Sequence, residues 1–191
     1  MTWMLTATGA TVDLRNPQAA DISTLDIAHS LALTNRFTGH TVRPYSVAEH
    51  SLLVEEIMCR EFGPMPPAAL LAALVHDAHE AYLGDISTPL KQVLPGWALE
   101  DVEQRIWLPV QHHFHTRVAS RDYASIIKRC DLMALAMERR DLLPPVGAPW
   151  PLLQGVEACT WVKLQERAGM DWQDWRQAFI DRVTSLLPQV D

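Results

Sequence analysis

The sequence predicts an all-α protein, and two observations carry that prediction. Apolar residues recur at intervals of three and four over most of the chain, as on the buried face of an amphipathic helix. No segment shows a convincing alternation of apolar and polar residues, which is the pattern of a half-buried strand. The 191 residues suffice for one ordinary domain. We therefore expect a single helical domain over 1–191, with a core at about 20–143 and a C-terminal helical cap at 144–191.

The N-terminal part is expected to begin with an irregular segment, residues 1–20, followed by a first helix over 22–37. A second helix should start at Ser46, because Ser46 and Glu49 fit a capping box. In that motif the Ser46 side chain caps the helix while Glu49 reaches back to the backbone of Ser46.

Prolines and glycines place the remaining helices. Pro66-Pro67 opens a helix that should continue to about Leu83 and end at Gly84. Pro109 should kink or divide a later helix, since proline lacks the backbone N–H. The further helical stretches are expected at 99–114, at 120–143 and in one or two segments ending near 187.

Composition and charge argue against several classes of protein. The formal net charge of −7 disfavours binding of a nucleic-acid polymer, which requires basic surface. The longest apolar run, around 66–75, is far shorter than the roughly 20 residues that span a bilayer. No basic segment precedes an apolar stretch at the N-terminus, and the three cysteines form no Cys-x-x-Cys pair. These features favour a cytoplasmic protein with reduced thiols.

The segment most suggestive of chemistry is His76-Asp77-Ala78-His79-Glu80. On a helix, Glu80 would share a face with His76 and Asp77, because it lies four and three residues after them. The adjacent imidazole and carboxylate could give a metal ion one nitrogen and one oxygen ligand. Two further ligands would have to come from other parts of the chain.

His50 and Asp131 are the candidates for those two ligands. His50 lies on the apolar stripe of its helix, one turn from Val47 and Val54. Asp131 follows Ile127 by four residues and should point partly inward. A buried carboxylate without a partner is costly, and a cation would offset that cost. Each residue alone is compatible with a structural role, so the combination carries the prediction.

The order His50, then His76-Asp77, then Asp131 resembles the H…HD…D signature of HD-domain phosphohydrolases. Three blocks are similar to the bacterial 5′-deoxynucleotidase branch, and phage dATP triphosphohydrolases share the same scaffold. The resemblance covers roughly residues 20–140. Its blocks are Tyr45–Ser51, His76-Asp77-x-x-Glu80 with the following Gly84-Asp85 and Thr88-Pro89-x-Lys91, and Lys128-x-x-Asp131.

The resemblance implies a helical HD-domain bundle that binds one divalent ion and hydrolyses the 5′-phosphate of a deoxynucleotide. Suitable ions are Mn, Co, Zn, Fe, Ni and Mg, and the ligand set does not choose among them. The implied metal ligands are His50, His76, Asp77 and Asp131.

Proton transfer and substrate binding would fall to neighbouring residues. Glu80 and Asp85 are the acid/base candidates. Arg36-Phe37 resembles an arginine–aromatic pair that contacts nucleotide in the related enzymes, and Lys91 could add a charge against phosphate. Arg36 and Lys91 could equally be solvated charges, and Asp85 could be the N-cap of a helix starting near Ser87.

Several alternatives stay open from the sequence. The substrate could be a deoxynucleoside triphosphate, or the chain could be a nucleotide-binding HD module without turnover. A homo-oligomer is compatible with the sequence. A second histidine cluster, His112, His113 and His115, lacks a carboxylate at helical spacing and is a poor metal site. The order around His79 fits no zinc-peptidase motif.

Overall fold

A computed structural model describes residues 1–187, and these residues are mostly helical, which confirms the all-α prediction. The helices are α1 Thr24–Leu33, α2 Val47–Glu61, α3 Pro67–Leu74, α4 Glu80–Leu83, α5 Thr88–Val93, α6 Gly96–His113, α7 Arg117–Asp122, α8 Ala124–Leu142 and α9 Trp172–Leu186. Short 3₁₀ turns lie at Ala19–Asp21, Arg36–Gly39, Pro151–Leu153 and Leu164–Arg167. Among residues 1–187, no helix is both long enough and apolar enough to cross a bilayer.

The N-terminal segment contains a small antiparallel hairpin, and the prediction of an irregular chain there was wrong. Strand β1 (Trp3–Leu5) pairs with β2 (Thr11–Asp13). Strands of three residues are too short to show an alternating pattern of apolar and polar residues, so they could not be predicted from periodicity. The turn between them is attached to α1, because Asp26 accepts hydrogen bonds from the backbone N–H (2.7 Å) and the hydroxyl (2.8 Å) of Thr8.

The start of α2 follows the sequence prediction in part. The Ser46 hydroxyl caps the helix by accepting from the Glu49 N–H at 3.1 Å. The predicted contact from the Glu49 side chain back to the Ser46 backbone is not formed. Glu49 instead accepts two hydrogen bonds from the Arg43 guanidinium, at 2.7 and 2.8 Å. A guanidinium group binds a buried carboxylate more strongly than a backbone N–H does, because it is charged and donates two hydrogen bonds. The buried face of α2 carries Val47, Val54, Ile57 and Met58, as expected.

The helix predicted from Pro66 to Leu83 is interrupted. It ends at Leu74, and tight turns over 75–79 lead into α4. In a continuous helix the Ala73 carbonyl would accept from the Asp77 N–H. Instead it accepts from the His76 backbone N–H at 3.4 Å and from His76 Nδ1 at 2.8 Å. Gly84, with φ of 79°, ends α4 as predicted.

One boundary in the second half of the chain also differs from expectation. Pro109, which was expected to kink or divide its helix, lies inside an undivided α6. The helix expected over 120–143 is two helices, α7 and α8, separated at Tyr123.

The buried core has two parts that share α2 and α3. One joins α1, α2, α3, α4, α6 and α9, and the other joins α2, α3, α7 and α8 with Cys159 and Leu164. Helix α2 packs against α3 and α8, and α9 packs against α1. Trp175, Phe179 and Val183 place α9 within the first part of the core. Cys59, Cys130 and Cys159 are free thiols.

Candidate metal centre

Three segments that pack together bring the predicted metal ligands to one place. His50 lies on α2, His76 and Asp77 lie in the turns after α3, and Asp131 lies on α8. Because α2 packs against both α3 and α8, side chains on its buried face meet those of the other two segments. The interruption of the helix at 75–79 therefore lies at the centre of the site.

The ligand atoms of these residues lie close together. The Nε2 atoms of His50 and His76 are 3.4 Å apart. Asp77 Oδ2 is 3.5 Å from His50 Nε2 and 3.2 Å from His76 Nε2, and Asp131 Oδ1 is 3.4 Å from His50 Nε2. Within residues 1–187, His50, His76 and Asp131 are the one group whose possible ligand atoms all lie within 4.8 Å of each other. Asp77 joins that group through both histidines.

The tautomers of the two histidines leave both Nε2 atoms free to bind a cation. His50 Nδ1 lies 2.6 Å from Glu138 Oε1, and His76 Nδ1 lies 2.8 Å from the Ala73 carbonyl oxygen. Both neighbours are acceptors, so Nδ1 donates in each ring. When both rings are neutral, each Nε2 atom carries a lone pair, and the two lone pairs face each other across the site. Either a proton on one ring or a cation bound between the rings removes this repulsion.

The carboxylates beside the histidines also favour positive charge in the site. Burial raises the pKa of Asp77, but the neighbouring His76, His50 and Arg36 outweigh it and hold the pKa well below its usual range. The pKa of Asp131 is lowered as well, because its hydrogen bond and charge interaction with His50 outweigh burial. Burial and Arg36 lower the pKa of His50, yet the Glu138 and Asp131 carboxylates raise it to about 9. The site therefore attracts a cation.

This donor set fits a divalent ion. Two imidazole nitrogens and two carboxylate oxygens form a mixed N/O set with two negative charges, which suits Mn, Fe, Co, Ni or Zn. Metal-binding histidines commonly donate their other ring N–H to a carboxylate or a backbone carbonyl, as His50 and His76 do here through Nδ1. Of the four residues predicted from the sequence, His50, His76 and Asp131 form the group of mutually close ligand atoms in residues 1–187, and Asp77 lies beside both histidines.

Glu138 is a part of the site that the sequence analysis missed. It lies on α8, seven residues and two turns after Asp131, and is fully buried. Its Oε1 accepts from His50 Nδ1 and, at 2.9 Å, from the Tyr45 hydroxyl. Burial raises its pKa, but Arg36 and His50 outweigh that effect and lower it. The sequence signal that could have identified Glu138 is its position as a charged residue at helical spacing among apolar residues.

Arg36 lies between two carboxylates of the site. One terminal nitrogen, NH1, is 3.6 Å from Asp77 Oδ2, and the other, NH2, is 3.3 Å from Glu138 Oε2. Only 12% of the side chain is exposed, so Arg36 is not the solvated charge that the sequence left open. The next two residues, Phe37 and Thr38, have φ of 56° and 53°. Such left-handed conformations are strained for residues with a side chain.

Glu80 and Asp85, the predicted acid/base groups, lie within electrostatic range of the centre. Burial, reinforced by the negative charges of Asp77 and Asp85, raises the pKa of Glu80 to about 9. Glu80 Oε2 is buried without a hydrogen-bond partner in the described part of the chain. Burial also raises the pKa of Asp85. The N-cap residue of α5 is Ser87, so the alternative in which Asp85 caps that helix is wrong.

Phe37 and Lys91, the other predicted substrate contacts, lie outside the open space beside the metal ligands. The Phe37 ring packs 6.3 Å from the Trp150 ring. Lys91 Nζ forms an ion pair with Glu103 Oε1 at 2.8 Å, between α5 and α6. Its pKa is lowered by burial but raised more by Glu103, with smaller contributions from Glu80 and Asp77.

A groove of about 860 Å³ opens beside the candidate metal ligands. His76, Asp77 and Asp131 lie at one part of its wall. Its other lining residues come from α3, α6, α7 and α8, and include neither Arg36, Phe37 nor Lys91. A small molecule with an anionic end at the ligands could extend into this groove.

The second histidine cluster does not form a metal site in residues 1–187. The rings of His112 and His115 are 6.3 Å apart. His113 Nε2 lies 3.1 Å from the Thr24 hydroxyl, which ties the end of α6 to the start of α1.

Comparison with known proteins gives two relatives of similar length. The chain is 38% identical over 138 residues to the uncharacterized protein YfdR of Escherichia coli K12, covering 72% of this chain and 71% of that protein. It is 36% identical over 143 residues to the uncharacterized protein RCAP_rcc00048 of Rhodobacter capsulatus, covering 73% and 72% of the two chains. No family model matches the chain.

Proposed function

This chain belongs to the same family as YfdR and RCAP_rcc00048, and we propose that it is a divalent-metal-dependent phosphohydrolase of the HD-domain type. Its substrate is a deoxynucleotide whose 5′-phosphate is released as inorganic phosphate. One observation carries the proposal. The Nε2 atoms of His50 and His76 face each other at 3.4 Å beside the Asp77 and Asp131 carboxylates, with both Nδ1 hydrogens committed elsewhere.

A divalent ion held by His50, His76, Asp77 and Asp131 supplies positive charge to the phosphoryl oxygens and makes water more acidic. The chain's own residues hold and orient these ligands. Glu138 fixes the His50 ring through Nδ1, and the Ala73 carbonyl fixes the His76 ring. Arg36, which is not one of the groove-lining residues, adds a positive charge beside Asp77.

Proton transfer is the second requirement of phosphoester hydrolysis. The leaving 5′-oxygen needs a proton, and the attacking water must lose one. Glu80 is buried, and burial together with the charges of Asp77 and Asp85 raises its pKa, which favours the protonated form that can donate to the leaving oxygen. Asp85, the more accessible of the two carboxyl groups, is then the candidate to accept a proton from water.

Two alternatives use the same four ligands. A triphosphohydrolase would release the phosphates of a deoxynucleoside triphosphate, and a nucleotide-binding module would release nothing. These three functions differ in their products, because the first gives nucleoside and phosphate, the second gives nucleoside and triphosphate, and the third gives neither.

The test is a panel of deoxynucleoside mono- and triphosphates, each incubated with protein loaded separately with Mn, Co, Fe, Ni, Zn or Mg. We expect nucleoside and inorganic phosphate from monophosphates with at least one ion, and none after chelation. Inorganic triphosphate as the product would replace the proposal with the triphosphohydrolase. Nucleotide binding without product for any ion would replace it with the binding module.

A further inference from the structure

The groove beside the metal ligands has one wall built from a single face of α6. Gln104, Trp107 and Gln111 line it, and their spacing of three and four residues places them on the same side of the helix. The facing wall comes from α7 and the start of α8, and the metal ligands His76 and Asp131 belong to the same lining. A molecule bound at the ligands would thus lie against this face of α6.

Gln111 is a polar residue of that wall. It is 8% exposed, it lines the groove, and its carboxamide makes no hydrogen bond to another side chain or to the backbone within residues 1–187. A carboxamide offers two donors and an oxygen acceptor. Since Gln111 lines the groove, these groups are available to a molecule that enters the groove and displaces water.

Trp107 adds a second type of contact one turn away. Its indole is partly buried and meets the His79 ring edge-on, with centroids 5.7 Å apart, which holds the indole in place. A fixed aromatic surface next to a carboxamide is the combination that binds a nucleobase. The aromatic ring contacts the face of the base, and the carboxamide pairs with a donor and an acceptor on its edge.

We infer that this groove is the nucleobase site and that Gln111 reads the hydrogen-bonding edge of the base. The inference rests on the proposed function, because it places the 5′-phosphate at the metal ligands and the base further along the same groove. Cations on the facing wall attract an anionic nucleotide. They are Arg117, which has no ion-pair partner among residues 1–187, and Arg121 and Lys128, which form ion pairs with Asp122 and Asp131.

Substitution of Gln111 separates base recognition from catalysis. In Gln111→Leu, kcat/KM for deoxynucleoside monophosphates should fall by roughly ten- to a hundred-fold, the range for loss of one bidentate base contact. Hydrolysis of deoxyribose 5-phosphate, which has no base, should be unchanged. The matched control is Gln177→Leu, because Gln177 lies on the exposed face of α9 and pairs only with Asp181.

A binding measurement tests the inference without hydrolysis. Calorimetric titration of the metal-free protein with deoxynucleosides should show binding that Gln111→Leu weakens by the same factor and Gln177→Leu leaves intact. If the wild type hydrolyses nothing yet shows this pattern, the base site stands and the proposed hydrolysis fails. Equal loss on deoxyribose 5-phosphate and on nucleotides, or nucleoside binding that is absent or insensitive to Gln111→Leu, would overturn the inference.

Discussion

His50 Nδ1 lies 2.6 Å from Glu138 Oε1, and this contact joins the two helices that hold the candidate metal centre. His50 comes from α2, and Glu138 comes from α8, which also carries Asp131. One helix thus supplies both a predicted ligand and the group that orients another. The arrangement is rigid because both side chains are fully buried.

Glu138→Gln should weaken metal binding about 10- to 100-fold, the usual effect of losing the partner of a metal-binding histidine. The amide keeps the size of the side chain but removes the negative charge that orients His50 and Arg36. Affinity can be measured by competition with a chromophoric chelator. Glu55→Gln is the matched control, since Glu55 is a buried glutamate of α2 that pairs with Arg182 and Cys59. Equal affinities of the two variants would remove Glu138 from the centre.

Arg36→Ala should destabilise the fold by about 3 kcal/mol, the scale for leaving buried charges without a partner. It leaves both Asp77 and Glu138 without their cation. The loss should be smaller with saturating metal, because a bound ion also neutralises Asp77. Urea denaturation with and without metal measures both values. Arg60→Ala, which breaks an exposed ion pair, should cost at most about 1 kcal/mol. An equal loss of unfolding free energy with and without metal would contradict the placement of Arg36 beside the metal centre.

Substrate affinity offers a second readout for Arg36. If its charge is felt by the phosphate, Arg36→Ala should weaken nucleotide binding by about 1.5–3 kcal/mol. Lys91→Ala should have a smaller effect, because Lys91 is paired with Glu103, whereas Arg36 lies directly beside the candidate ligand Asp77. The comparison is made by titrating each folded variant with the same nucleotide. A larger effect for Lys91 would reverse the order that the structure predicts.

Asp141 gives the fold a pH-dependent contribution far from the proposed chemistry. Its Oδ2 accepts from the Leu164 backbone N–H at 3.0 Å, and Arg140 forms an ion pair with it at 2.6 Å. Burial raises the pKa of Asp141, but these partners outweigh it and lower the pKa below its ordinary value of 3.8. The stabilisation is therefore complete above that value and is lost as the pH falls through the lower, folded-state pKa.

Asp141→Asn should accordingly cost about 1–3 kcal/mol at neutral pH, and the difference from wild type should shrink below about pH 4. Urea unfolding of both proteins across this range measures it. A difference that stays constant down to the lowest pH at which both proteins fold would contradict the ion-pair explanation.

Much of the site could be predicted because its residues stand in a recognisable order. The order of His50, His76-Asp77 and Asp131 led to side chains that the fold brings together. The Ser46 cap and the end of α4 at Gly84 also followed from local rules. These features depend on a few neighbouring residues, which is why sequence alone was informative.

Other features depend on contacts between distant residues and could not be predicted. At the break over 75–79, the Ala73 carbonyl accepts a hydrogen bond from His76 Nδ1 instead of from the backbone of a continuing helix. The apolar pattern of the sequence continues through this segment and therefore does not show the break. Glu138 lies at helical spacing among apolar residues of α8, but its partner His50 is on α2, so its role depends on the packing of the two helices. The groove, and with it the position of Gln111, requires α6 to face α7 and α8.

The role of the four ligands can be separated from that of Glu80 by measuring metal content beside turnover for two variants. Asp131→Ala should lose the ion, as shown by elemental analysis, together with turnover and some stability. Glu80→Ala should keep its full metal content, while turnover falls by roughly 10²- to 10⁴-fold, the range for losing a positioned acid/base group. Full metal content in Asp131→Ala, or loss of the ion in Glu80→Ala, would contradict the proposed metal centre.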